Sequence, residues 1–126
     1  MKRIADLMTR QPWTVQLDDS LAVARQMIAV REIHHLPVLD GGEVVGMVTE
    51  RNLALAADRL GTVASAMVPV HRVAAETPLD EVLDAMTAKH LDAIVVTGDG
   101  TVEGIFTASD AVRALRDLVR RRSARV

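Results

Sequence analysis

The 126-residue chain has no cysteine and no tyrosine, and its only aromatic residues are Trp13 and Phe106. Without cysteine there can be no disulfide and no thiolate metal site, which suits a reducing compartment. With so few rings, single-stranded nucleic acid cannot be held on stacked aromatic platforms, and the core must be built from Val, Leu, Ile, Ala and Met. Charge of one sign is also lacking. The formal net charge is −2, so the body as a whole does not attract polyanions. No apolar run approaches the roughly 20 residues that span a bilayer, and Met1-Lys2-Arg3 is not followed by an apolar stretch of the kind a secretory signal carries. A cytoplasmic location with no membrane partner is the expectation. Three enzyme signatures are missing as well: a Gly-rich loop ending in Lys-Ser/Thr, a Gly-x-Ser-x-Gly elbow and a His-Glu-x-x-His pair. The expected class is therefore non-enzymatic.

What is present is a repeat. Gly104-Ile105-Phe106-Thr107-Ala108-Ser109-Asp110 reads as an apolar strand running straight into a helix. Thr107 is the N-cap, and Asp110 lies within the first turn, where its carboxylate leans back toward the cap hydroxyl and the free amides. Gly46-Met47-Val48-Thr49-Glu50-Arg51-Asn52 repeats the pattern. From Val15 against Val73 a constant shift of 58 residues carries the alignment through Leu21/Leu79, Val38/Val96, Gly46/Gly104 and Thr49/Thr107. Upstream, Val63-Ala64-Ser65-Ala66-Met67 mirrors Ile4-Ala5-Asp6-Leu7-Met8.

Each copy reads as strand, helix, strand, strand, helix. In the first, Ile4 to Met8 makes a helical turn and Trp13 to Leu17 a strand. Ser20 caps a helix from Leu21 to about Arg31 whose face carries Leu21, Ala24 and Ile28. Pro37 marks the start or edge of a strand over His35 to Leu39. Asp40-Gly41-Gly42 is a hairpin turn, and a helix from Glu50 to about Arg59 is stopped by Gly61. In the second, Leu79, Val82, Leu83 and Met86 follow helical spacing, and Asp99-Gly100 makes the hairpin. A unit this small cannot bury both faces of its sheet, so the two should pack together in a mixed α/β (α+β) body. The expected divisions are 4–60, 61–118 and a basic tail over 119–126.

Taken in order, Asp6-Leu7-Met8-Thr9 with Pro12 and Thr14-Val15, His35-Leu36-Pro37-Val38-Leu39-Asp40, the two Gly-to-Asn/Asp motifs and Ala66-Met67-Val68-Pro69 resemble the cystathionine β-synthase (CBS) domain. The tandem arrangement resembles a CBS pair, or Bateman module, covering Ile4 to about Leu118. The resemblance implies two β-α-β-β-α repeats related by a pseudo-twofold axis and packed through their sheets, with no catalytic domain attached. It also implies regulatory binding of an adenosyl compound, an AMP-, ADP- or ATP-like nucleotide or S-adenosylmethionine, in clefts between the repeats. No cofactor is required.

Carried over by position, Asp110 would accept hydrogen bonds from ribose hydroxyls, and Thr107 would contact a phosphate or ribose oxygen. The base would lie against Val70, Val73, Leu91 and Ala93. The other site would comprise Thr49, Asn52, Thr14, Val15, His35 and Pro37. Arg51, Arg72 and Arg113, with His35 and Lys89, are the candidates for meeting phosphate. Asn52 departs from the family's aspartate. It is neutral and offers one carbonyl oxygen where a carboxylate offers two, so the Asp110 site is expected to bind a ribosyl ligand more tightly.

Plainer roles stand beside these. Thr107 and Asp110 also make a helix-capping pair, stabilising by about 0.3–1 kcal/mol in exposed settings without any ligand. His34 and His35 point to opposite faces of a strand, which weighs against a metal site. From Arg113 to Val126 six arginines stand against the single Asp117, a frayed helix end or a contact for an anionic partner. The alternatives to a sensor are accordingly a ligand-free structural or protein-interaction module and a small nucleic-acid-associated regulator acting through the arginine tail. A homodimer, with a regulated protein partner not identified, completes the expectation.

Overall fold

The computed structural model describes residues 2–56 and 60–124. A 3₁₀ turn (Ile4–Asp6) leads into β1 (Thr9–Arg10), β2 (Val15–Gln16), α1 (Leu21–Arg31), β3 (His35–Asp40), β4 (Glu43–Thr49) and α2 (Glu50–Leu55). A second 3₁₀ turn (Val63–Ser65) is followed by β5 (Arg72–Ala74), α3 (Leu79–Lys89), β6 (Ala93–Gly98), β7 (Thr101–Thr107) and α4 (Ala108–Ala124). The strands form two sheets, in the orders β2-β3-β4 and β1-β7-β6-β5.

The duplication extends to backbone detail. β2 runs parallel to β3 with Val15 opposite Val38, and β5 runs parallel to β6 with Val73 opposite Val96. The ladder shifts register after Val38 in one hairpin and after Val96 in the other. α1 and α3 both end on a residue with left-handed backbone, Glu32 and His90, each at φ 54°. The hairpin turns use Gly41 and Gly42, and Asp99 and Gly100, all at positive φ, the conformation that two-residue hairpin loops require.

Each half has its own apolar cluster. Val15, Leu21, Ala24, Ile28, Leu36, Val38, Val48 and Leu53 pack in the first, and Val82, Met86, Ile94, Val96 and Phe106 in the second. Fully burying a side chain such as Phe106 contributes roughly 1.5–3 kcal/mol. A third cluster, Val44, Met47, Val95 and Ile105, with Leu39, Val70, Ala93 and Val102 around it, draws on strands of both sheets and joins the halves.

The segments ahead of each unit are exchanged. Ile4 and Met8 are buried in the second half's cluster, and the Ile4 and Ala5 amides donate to the carbonyls of Thr77 (2.9 Å) and Ala75 (3.1 Å). β1 then adds to the edge of β7, Thr9 opposite Ile105. Reciprocally, Val63 is buried in the first half's cluster, its amide donating to the Asp19 carbonyl at 2.8 Å, and Val68 bridges to Met47.

Four sequence expectations change. The strand over Trp13 to Leu17 shrinks to Val15–Gln16, because only there does it pair with β3. Pro37 lies inside the central strand of its sheet, but β2 begins pairing only at Val38, so a missing N–H at 37 costs the β2 ladder nothing. The helix begun at Glu50 stops at Leu55, not near Arg59, with Ala56 already extended (φ −65°, ψ 123°). Further on, the Gly61 carbonyl accepts from the Leu21 amide (3.0 Å) and Val63 fills the core; Ala57 to Arg59 lie outside the described residues. The tail expected over 119–126 is no separate segment as far as Ala124, because α4 runs through Arg120, Arg121 and Arg122 without a break.

Candidate functional site

β7 delivers Thr107 to the start of α4, and the cap forms as its spacing requires. The Thr107 amide donates to Asp110 Oδ2 (2.9 Å), the Thr107 hydroxyl meets the same oxygen (3.2 Å), and the Asp110 amide points back at that hydroxyl (3.3 Å). The other carboxylate oxygen, Oδ1, receives the Thr9 hydroxyl at 3.5 Å and pairs with the Arg113 guanidinium. Among the described residues Asp110 is the only charged side chain in the buried class, at 8% exposure.

Asp110 and Thr107 border a cavity of about 470 Å³. One side is the head of α4: Ala108, Ser109, Asp110 and Arg113, with Ile105 and Thr107 from β7. Thr9 of β1 lies beside Asp110, and the rest of the lining comes from the first half: Pro12 and Trp13 of the following loop, and the segment Glu32, Ile33, His34 and His35 around the join of α1 to β3. Asp92 closes it. Arg31 lies over the Trp13 ring, 4.0 Å from its centroid, and so fixes the orientation of that wall. The size suits a nucleoside-like molecule, and the lining mixes apolar walls with a few converging polar groups.

His35 pairs with Thr49 across the β3–β4 ladder yet borders the Asp110 cavity. Burial pushes its pKa below the ordinary 6.5, with Asp92 opposing that shift and His34 adding to it. His34, at the rim and largely exposed, places its Nδ1 2.7 Å from Glu50 Oε2.

The grouping of residues differs from the one expected. Val70, Val73, Leu91 and Ala93 do not line the Asp110 cavity. Val73 and Leu91 pack in the second half's core, and Val70 and Ala93 at the junction of the sheets. The halves meet sheet to sheet and exchange their leading segments, so the head of α4 faces the first half's chain. Val15 and Pro37 are buried in the first half, and Thr14 is half-buried ahead of β2. Of the phosphate candidates, Arg113 reaches the cavity. Arg72 donates to the Val44 carbonyl (2.9 Å), and Arg51 and Lys89 stand exposed on α2 and α3.

At the pseudo-equivalent position the Asn52 amide donates to Thr49 Oγ1 (3.0 Å), and the Thr49 amide donates to Asn52 Oδ1 (3.2 Å). Val68 occupies the place of Thr9, and Leu55 the place of Arg113. The two helix heads share one cap and differ in charge.

Sequence reasoning missed Thr9, Pro12, Trp13, His34, Asp92 and Ser109. The mirrored leading segments were the available signal, since a segment that repeats outside the strand-helix unit must pack somewhere.

The CBS domain family model matches residues 4–59 and 63–117. Inosine-5'-monophosphate dehydrogenase of Nitrosopumilus maritimus is 30% identical over 113 residues, 87% of this chain and 24% of that protein. The chain thus spans about a quarter of the length of that relative. The crystal structure of the CBS domain pair of protein MJ0100, in complex with 5'-methylthioadenosine and S-adenosyl-L-methionine, superposes with a TM-score of 0.85 at 26% identity, covering 93% of this chain and 98% of that one. A conserved protein from Pyrococcus horikoshii gives 0.80 at 27% identity, covering 90% and 92%.

Proposed function

The chain belongs to the CBS-domain family as a tandem pair, and from that premise we propose that it is a non-enzymatic sensor of an adenosyl compound. The ligand sits in the cavity bounded by Asp110. One observation carries the reading: a buried carboxylate, fixed by its own helix cap, borders a nucleoside-sized space shared by both halves. The ribose hydroxyls donate to Asp110, the Thr107 hydroxyl, its own proton on Asp110, accepts from a ribose hydroxyl, and the flat base lies between the apolar walls of Pro12, Trp13 and Ile105. The complex of the MJ0100 pair with two adenosyl compounds supports this ligand class. Asn52 and Thr49 form the weaker site, since a carboxamide accepts less strongly than a carboxylate.

The protein acts as a cytoplasmic homodimer, and the ligand alters its self-association or its hold on a regulated protein. α4 supplies a surface for this, because Val112, Leu115, Leu118 and Val119 stand exposed along it.

Isothermal titration with AMP, ADP, ATP and S-adenosylmethionine, with light scattering on the same samples, tests the proposal. Asp110→Ala is expected to weaken binding about tenfold or more, the worth of a charge-assisted hydrogen bond, and Asn52→Ala far less. Equal losses would remove the ranking of the two sites, and no heat at millimolar ligand would favour an empty scaffold. A mass of one chain would remove the dimer.

A further inference from the structure

We infer that Arg113 is a latch on the Asp110 carboxylate that makes the cavity select phosphorylated nucleosides over neutral ones; the inference rests on the sensor reading above. A carboxylate has about four acceptor positions, two on each oxygen. Here all are taken: Oδ2 by the amide and hydroxyl of Thr107, and Oδ1 by the Thr9 hydroxyl and the Arg113 guanidinium. A ribose diol brings two donors. The first can replace Thr9, whose contact at 3.5 Å is at the limit of a hydrogen bond. With the Thr107 cap kept in place, the second can enter only if the guanidinium leaves.

Arg113 can leave. Its side chain is 56% exposed while the carboxylate it covers is 7% exposed, so the arginine can swing into solvent and the aspartate cannot follow. A neutral nucleoside would break this charge-assisted pair and offer no anion in return. A ligand phosphate gives the guanidinium a new partner of the geometry it matches best. The pseudo-equivalent site has no such device, since Leu55 stands at the place of Arg113 and neutral Asn52 at that of Asp110. The selectivity therefore belongs to one cavity of the pair.

The test compares adenosine with AMP by isothermal titration on the full chain, in wild type, Arg113→Gln and Arg116→Gln. Arg116 lies one turn further along α4 beside exposed Asp117, so its replacement controls for lost helix charge. Wild type is expected to bind AMP about tenfold or more tighter than adenosine. In Arg113→Gln, AMP should weaken and adenosine should tighten, bringing the two within about threefold, while Arg116→Gln keeps the wild-type ratio. Adenosine binding seen only in Arg113→Gln would also support the latch, as one closed fully against neutral ligands. An unchanged ratio in Arg113→Gln, or equal weakening of both ligands, would overturn the latch and leave the sensor reading standing. No binding of either ligand by any of the three proteins would overturn both.

Discussion

Asp110 caps α4 and borders a cavity at once, and which role dominates depends on groups far away in the chain. Thr107 and the Asp110 amide could be read from a spacing of three residues. Thr9 could not, because it lies 101 residues from the carboxylate it touches and no local pattern records its partner. The same holds for Pro12, Trp13 and His34. His35 was singled out, but beside Asn52. Its backbone is there, opposite Thr49, while the cavity it borders belongs to the other half.

His35 makes a prediction about pH. Burial is the largest influence on it and lowers its pKa, so the unfolded chain binds a proton more readily than the folded one. Its contribution to stability is then fully present above the unfolded value of 6.5, and falls as the pH drops through the folded value. Urea midpoints measured at pH 7.5 and 5.5 should show lower stability at the acid value, and His35→Gln should shrink that difference. A difference untouched by the substitution would assign the acid sensitivity to other groups.

Among the elements, the hairpins show what a glycine in a strand is for. Gly46 and Gly104 were legible as a repeated motif, but the reason for glycine was not, because it lies in the crossing segments. A Cβ on Gly104 would collide with the Met8 side chain and come within 2.9 Å of the Thr9 carbonyl. A Cβ on Gly46 would meet Met67 Sδ at 2.9 Å and the Val68 carbonyl at 3.0 Å. Backbone cannot yield as a methionine can, so either alanine must shift an exchanged segment against its sheet. Gly104→Ala and Gly46→Ala should each cost about 1–3 kcal/mol in urea unfolding, the usual range for overpacking. Only Gly104→Ala displaces Thr9, so only it should also weaken ligand binding in the Asp110 cavity. Equal binding by the two variants would mean that β1 does not shape that cavity. The helices differ in how far the sequence sets them, for a related reason. The buried face of α1 (Leu21, Ala24 and Ile28) follows its periodicity, whereas the end of α2 is set by where Gly61 and Val63 must go.

For the whole molecule, the constant shift of 58 residues made the duplication legible, and the small size of each unit made the joined sheets legible. The exchange of leading segments was hidden, since periodicity says which face is buried and never against which half. Its thermodynamic consequence is one folding unit. Each half's core is completed by a residue from ahead of the other unit, Ile4 in one and Val63 in the other. Calorimetry should give a single transition with equal calorimetric and van't Hoff enthalpies. Ile4→Ala should lower that transition, by about 2–5 kcal/mol of stability, without splitting it. Two separated transitions would show that the halves stand alone.

The reciprocal handshake also bears on how such a chain could arise. A lone unit would have an arm with nothing to grip and a groove with nothing in it, and another copy of itself would satisfy both needs. Tethering two units on one polypeptide replaces that encounter with a fixed effective concentration, so the clasp no longer loosens on dilution. Once the copies are tethered they need not stay identical, and one helix head can keep a guarded carboxylate while its twin relaxes to a carboxamide.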